Sequence, residues 1–84
     1  RYNESAYLYY NRGNVYVARR DYAHAIADYT HALELDAHLA EAYYNRGLAR
    51  IATSAQDEGI ADLSKAGELG LYSAYSILKR QRKK

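Results

Sequence analysis

The sequence of 84 residues contains no cysteine, proline, methionine, tryptophan or phenylalanine. The lack of cysteine excludes disulfide bonds, thiolate metal sites and a cysteine nucleophile. No apolar run approaches the ~18 residues of a membrane-spanning helix, and no signal peptide is evident. We therefore expect one small domain with no membrane span, for which the cytoplasm is the default compartment because no feature of the sequence identifies another.

Recognisable catalytic patterns are also missing. No serine lies in a motif with a histidine and an acid, and Gly67-Glu68-Leu69-Gly70 lacks the lysine and the spacing of a phosphate-binding loop. We therefore expect no enzymatic activity, no catalytic residues and no cofactor.

The aromatic residues that are present are 11 tyrosines, and some of them belong to an internal repeat. The pentapeptide Tyr9-Tyr10-Asn11-Arg12-Gly13 occurs again, unchanged, at residues 43–47. Alignment of residues 3–36 with residues 37–70 gives identical residues at 13 of the 34 positions. A fixed period of this length is typical of proteins built from stacked repeats.

The repeated unit resembles the tetratricopeptide repeat (TPR), a family in which large and small residues alternate at fixed positions. In repeat one these residues are Tyr9, Gly13, Tyr16, Ala25, Tyr29 and Ala32. In repeat two they are Tyr43, Gly47, Gly59, Leu63 and Ala66. Two features depart from the family pattern: Arg50 replaces the second aromatic residue, and Ala37 and Leu71 stand where a proline is usual.

The resemblance implies an all-α fold, an α-solenoid of two TPR-like helix-turn-helix repeats and a C-terminal capping helix. We expect repeat one at residues 3–36, repeat two at 37–70 and the capping helix at 71–84. The expected helices are residues 3–19, 22–35, 38–52, 57–69 and 72–82. Asn3 or Ser5 is suited to cap the first helix and Asp21 the second, while Asp36 would end the second and cap the third. Gly70 is suited to a left-handed helix end.

The resemblance also implies a concave groove, lined by the first helices of successive repeats, that binds a protein or peptide partner. The residues expected to face it are Tyr7, Tyr10, Asn14, Val17, Glu41, Tyr44, Asn45, Leu48, Tyr75 and Lys79. Tyrosine offers a large contact area with a polar tip, and asparagine can both donate to and accept from a peptide backbone. Alternatively, some of these tyrosines only pack between helices.

Some TPR domains clamp the carboxylates of a partner's C-terminus with lysine, arginine and asparagine side chains. Asn14, Asn45 and Lys79 match three of the five clamp positions, but Tyr10 and Tyr75 replace two lysines. Because the loss of two cations removes most of the charge complementarity to a dianion, we expect a more apolar, aromatic-lined groove.

Two further clusters suggest other chemistry. His24, Asp28 and His31 lie at i, i+4 and i+7 of the second helix, a spacing that could present metal ligands on one face. The alternative is a solvated face, because Asp28 recurs as Asp62 without histidines nearby.

Residues 79–84 hold five basic residues out of six. Such a run could bind nucleic acid or an acidic membrane through charge, but it carries no nucleic-acid motif and also suits a solvated helix end. We therefore expect no specific nucleic-acid binding.

Taken together, these patterns favour a non-enzymatic protein–protein interaction scaffold that binds a peptide in a tyrosine-lined groove. The alternative is a short repeat fragment that self-associates through its exposed ends, with metal bridging through the histidines as one route.

Overall fold

The computed structural model describes residues 3–82, and these residues form five α-helices and no strand. The helices are α1 (Glu4–Ala18), α2 (Tyr22–Leu35), α3 (Ala40–Ala52), α4 (Gln56–Glu68) and α5 (Ser73–Arg82). Each boundary lies within two residues of the sequence expectation. Within the described residues, no helix combines the length and apolar character needed to cross a membrane.

The helices are arranged as two hairpins and a final helix. Helix α1 packs against α2, α3 packs against both α2 and α4, and α5 packs against α4. Each hairpin has a three-residue turn whose middle residue, Arg20 or Ser54, has a left-handed backbone with φ of 61° or 71°. Because these two residues are 34 positions apart, the turn is repeated together with the helices. The expected all-α solenoid fold is confirmed.

The helix ends show which capping expectations hold. Asn3 accepts a hydrogen bond from the backbone N–H of Ala6, and Asp21 accepts one from that of His24, so both cap as expected. Asp36 ends α2, but the prediction that it also caps α3 is wrong. Helix α3 begins only at Ala40, so the Asp36 carboxylate reaches the N–H of His38 instead.

Close approach within each hairpin depends on glycine. A Cβ atom on Gly13 would lie 2.7 Å from the Tyr29 ring, and one on Gly47 would lie 2.8 Å from the carbonyl oxygen of Gly59. Tyr29 and its repeat-two counterpart Leu63 are the largest fully buried side chains. The small residues therefore let each pair of helices close around one large side chain, which is the packing that the alternating pattern predicts.

An arginine–aspartate pair ties the two helices of each hairpin together. Arg12 donates to both carboxylate oxygens of Asp28, and Arg46 does the same to Asp62, with all four distances at 2.8 Å. Arg50, which replaces the second aromatic residue of the repeat, donates to Asp62 at 2.9 Å. Both aspartates are buried, so their charges are compensated by these fork-like contacts rather than by water.

Candidate peptide-binding site

A neutral cleft lies between α1 and α3 and is closed by the beginning of α2. Its volume is about 340 Å³. The residues that line it are Asn14, Val17, Tyr22, Tyr29, Asn45, Leu48, Ala49 and Ala52. None of these side chains is charged, and the polar groups are two carboxamides and two phenol hydroxyls. Such a cleft suits an apolar group whose attached backbone needs hydrogen bonds.

Four of the groove residues expected from the sequence line this cleft together: Asn14, Val17, Asn45 and Leu48. Ala49 and Ala52 were missed, although they follow Asn45 and Leu48 by four residues and so lie on the same stripe of α3. Tyr22 and Tyr29 were also missed. They belong to α2, and a search confined to the first helix of each repeat does not reach them.

A hydrogen-bond network crosses the cleft and connects the two repeats. The Tyr29 hydroxyl donates to Oδ1 of Asn14 at 2.5 Å. Nδ2 of Asn45 donates to the same oxygen at 2.9 Å and to the Tyr10 hydroxyl at 3.3 Å. Tyr10, Asn14 and Asn45 therefore position one another before any ligand arrives.

This network leaves the amide nitrogen of Asn14 as a donor and the amide oxygen of Asn45 as an acceptor for a ligand. Both acceptor directions of Asn14 Oδ1 and both hydrogens of Asn45 Nδ2 are used. Among the described residues, Nδ2 of Asn14 and Oδ1 of Asn45 have no hydrogen-bond partner. A donor on one side and an acceptor on the other match the carbonyl and the N–H of a peptide backbone.

Tyr29 forms the buried end of this network. Burial raises the pKa of its hydroxyl to about 12, although the nearby Asn45 side chain acts in the opposite direction. The hydroxyl is therefore protonated throughout the physiological range, and it remains a donor to Asn14. The orientation of the Asn14 carboxamide is consequently fixed by a group that does not titrate near neutral pH.

The other tyrosines of the expected groove have different surroundings. Tyr7 packs edge-on against Tyr10, with ring centroids 6.1 Å apart. Tyr44 packs against the buried cluster of Leu63, Ala66 and Ala74. It therefore packs between helices, which is the alternative that the sequence left open for these tyrosines. Glu41 is exposed on α3.

Tyr75 and Lys79 lie in a second cleft, between α4 and α5, with a volume of about 480 Å³. Its other lining residues are Ile60, Ser64, Ser76 and Leu78. The Tyr75 ring lies over Gly67, where a Cβ atom would approach it to 2.5 Å, and it stacks on Tyr72. Tyr75 therefore packs on the repeat end rather than lining the first cleft.

The proposed metal ligands are not brought together. His24 bonds through Nδ1 to Asp21 and stacks on Tyr16, while His31 stacks on Tyr9 with ring centroids 4.0 Å apart. Asp28 is buried and engaged by Arg12. Within residues 3–82, no group of three or more His, Cys, Asp or Glu side chains could hold a metal ion. The i, i+4, i+7 spacing suggested a metal site, but the Asp28 carboxylate is instead the ionic partner of the Arg12 guanidinium inside the hairpin.

The basic run at the C-terminus is only partly described. Lys79 and Arg80 are exposed on α5, whereas Lys83 and Lys84 lie outside the described residues.

The repeat and the fold both match known proteins. A family model described as TPR repeat matches residues 13–53, which include the end of α1, all of α2 and all of α3. The fold also matches a solved structure, the first TPR of Spaghetti (RPAP3) bound to the HSP90 peptide SRMEEVD, with a TM-score of 0.87 at 28% identity. Residues 13–53 therefore match a tetratricopeptide repeat, and the fold is that of a solved TPR domain.

The match to the TPR of Spaghetti covers 93% of this chain and 64% of the other, so this chain spans less than two thirds of its neighbour's length. No curated protein matches the sequence. TPR domains are typically non-enzymatic protein-interaction modules, which agrees with the lack of a catalytic motif. In this fold the neutral cleft lies between the first helices of the two repeats.

Proposed function

We propose that the chain is a non-enzymatic interaction scaffold that binds an extended peptide segment in the neutral cleft between α1 and α3. The observation that carries the proposal is the unused donor of Asn14 beside the unused acceptor of Asn45, at the edge of an apolar cleft. The TPR fold and the peptide-bound structure of its neighbour support the same role.

The geometry suggests how a peptide would be held. Asn14 Nδ2 would donate to a backbone carbonyl, and Asn45 Oδ1 would accept from a backbone N–H. One side chain of the peptide would then enter the cleft and contact Val17, Leu48 and Ala52. Because the two carboxamides are already held by Tyr10 and Tyr29, little conformational entropy is lost when they engage the ligand.

The charge of the cleft favours an uncharged apolar segment over an acidic tail. The peptide bound to the neighbouring structure, SRMEEVD, carries three acidic residues. In this chain the cleft-lining set contains no cation, and Lys79 lies in the second cleft. Without a nearby positive charge, a carboxylate that enters the cleft loses hydration without an ionic partner.

Selection from a displayed library of random heptapeptides tests the proposal. We expect enrichment of sequences with an uncharged apolar residue. Enrichment should be lost in Leu48→Asp, which places a charge in the cleft. It should persist in Leu35→Asp, a matched control because Leu35 is 40% exposed and Leu48 is 36% exposed, and only Leu48 lines the cleft. Equal losses in both variants, or no enrichment with the unchanged chain, would reject the groove as the binding site.

A pair of peptides tests the charge preference. Labelled SRMEEVD and its neutral counterpart SRMQQVN are titrated by fluorescence anisotropy at low and high salt. We expect the neutral peptide to bind at least as tightly, with little salt dependence. Tighter binding of SRMEEVD that weakens strongly with salt would instead indicate a carboxylate clamp.

A further inference from the structure

Two tyrosines of α2 form aromatic walls of the neutral cleft. Tyr29 is buried, and its ring packs on that of Tyr10 with ring centroids 5.9 Å apart. Tyr22, the first residue of α2, is only half-buried. Among the described residues, Tyr22 has no ring contact, no cation over its ring and no side-chain hydrogen bond. One wall is therefore held in place, and the other offers an aromatic ring that has no ring partner of its own.

Two of the residues that α3 contributes to the lining are alanines, Ala49 and Ala52. Their side chains end at Cβ, and the cleft that they help to leave open has a volume of about 340 Å³. A protein cavity of about 150 Å³ is large enough to bind benzene. The neutral cleft is therefore large enough for a six-membered ring together with part of the backbone that carries it.

The aromatic walls belong to repeat one and are not reproduced in repeat two. The residues that lie 34 positions after Tyr22 and Tyr29 are Gln56 and Leu63. Repeat two therefore cannot offer the same pair of rings, although its helices are packed in the same way. A preference that depends on these rings would belong to this one cleft of the chain.

We infer that the side chain bound in the neutral cleft is aromatic, a phenylalanine or a tyrosine, and that Tyr22 and Ala52 determine this preference. The inference rests on the proposed function and narrows its ligand from an apolar residue to an aromatic one. The ring of the ligand packs against Tyr22, because aromatic rings in contact attract each other beyond the apolar area that they bury. Ala52 provides room for the ring because it has no side-chain atom beyond Cβ.

The probes are N-acetyl-phenylalanine methylamide and its leucine counterpart. Both carry the backbone carbonyl and N–H groups that Asn14 and Asn45 are proposed to hold, so they differ only in the side chain. Titrations are followed by the backbone amide signals of Ala49 and Ala52 in the ¹⁵N-labelled chain. For ligands of this size we expect a dissociation constant on the order of 1 mM. The phenylalanine probe should bind roughly two- to tenfold more tightly than the leucine probe.

Tyr22→Leu tests the aromatic wall, because it removes the ring and keeps an apolar side chain. The affinity for the phenylalanine probe should fall to that for the leucine probe, while the affinity for the leucine probe should change little. The readout is the ratio of the two affinities in the same variant. A general loss of structure would weaken both probes and leave that ratio unchanged.

Ala52→Leu tests the room in the cleft. Ala52 is exposed, so the larger side chain enters the cleft without disturbing the core. We expect the affinity for the phenylalanine probe to fall at least tenfold. Ala18→Leu is the matched control, because Ala18 lies 34 residues earlier, is also exposed and also ends its helix, but does not line the cleft. This control should bind the probe as the unchanged chain does.

A leucine probe that binds as tightly as the phenylalanine probe would overturn the inference, and so would an affinity ratio that Tyr22→Leu does not alter. Absence of any shift with the phenylalanine probe at about ten times the expected dissociation constant would also overturn it. The proposed function fails by a different result. Selected heptapeptides that carry only aliphatic residues and are lost in Leu48→Asp would leave the peptide groove in place without the aromatic preference. No enrichment of any heptapeptide would reject the proposed function, and the inference with it.

Discussion

Asn45 of α3 donates a 2.9 Å hydrogen bond to Oδ1 of Asn14 in α1, and the same oxygen accepts from the buried hydroxyl of Tyr29. Asn14 and Asn45 belong to different repeats. The residues proposed to hold the peptide therefore also hold the repeats together, and substitutions in the groove should affect stability as well as binding.

The first prediction compares the two asparagines. Asn14→Ala removes the acceptor of a buried hydroxyl and should lower the free energy of unfolding by about 1–3 kcal/mol. Asn45→Ala leaves the bond between Tyr29 and Asn14 intact and should cost less, about 0.5–1.5 kcal/mol. Urea denaturation measures both, and an equal or inverted order would contradict the network described above.

The second prediction concerns the two buried aspartates. Asp62 is the shared ionic partner of Arg46 and Arg50, whose side chains are largely covered, whereas Asp28 pairs with the exposed Arg12. Asp62→Asn should therefore cost about 3–5 kcal/mol, enough to unfold much of a small domain. Asp28→Asn should cost clearly less because water can solvate Arg12. Thermal unfolding followed by circular dichroism measures the melting temperature of each variant. Equal melting temperatures for the two variants would contradict the prediction.

The third prediction concerns the contact between Gly13 and Tyr29. Alanine is the better helix former by about 1 kcal/mol, which alone would make Gly13→Ala stabilising. Its Cβ atom, however, would lie 2.7 Å from the Tyr29 ring, and overpacking of this kind costs about 1–3 kcal/mol. We expect a net loss of stability in chemical denaturation. A more stable variant would show that the hairpin can open without cost.

The fourth prediction is a pH dependence at the beginning of α2. A hydrogen bond from the His24 side chain lowers the pKa of Asp21 below its ordinary value. A depressed pKa in the folded state means that the contribution to stability is present above the unfolded pKa and is lost as the pH falls through the folded pKa. Asp21→Asn keeps a good helix cap but removes this contribution, so it should lower stability slightly at neutral pH and flatten the loss of stability in acid.

His24→Ala should flatten the same part of the profile, because it removes the partner that lowers the Asp21 pKa. Thermal melts between about pH 2 and pH 7 span the ordinary aspartate range. A profile below pH 4 that neither substitution alters would contradict the assignment.

The helices and the hairpin packing could be predicted from the sequence because both depend on local spacing. The alternation of Gly13 and Ala25 with Tyr29 determines how closely α1 and α2 approach, and it is visible in the sequence. The role of Asp28 could not be predicted in the same way. Its position on the helix fits a metal site as well as an ion pair, and only the packing of α1 places Arg12 against it.

The candidate site could be predicted in part for a similar reason. Residues that share one stripe of a helix, such as Asn45 and Leu48, were placed in the groove from their spacing. Tyr22 was missed because it reaches the cleft from the first residue of α2, across the turn. The mutual hydrogen bonds of Asn14, Asn45 and Tyr10 depend on side-chain positions in two repeats, which no spacing within one helix encodes.

The measurement that tests the central claim most directly is a peptide titration followed by the side-chain amide signals of the ¹⁵N-labelled chain, with a peptide enriched in the library selection. The account predicts a large shift of the Asn14 side-chain N–H signals, because its free donor engages the peptide backbone. The signals of Asn11, an exposed asparagine outside the cleft, should remain in place. Binding that shifts neither Asn14 nor Asn45 would show that the peptide lies elsewhere on the molecule.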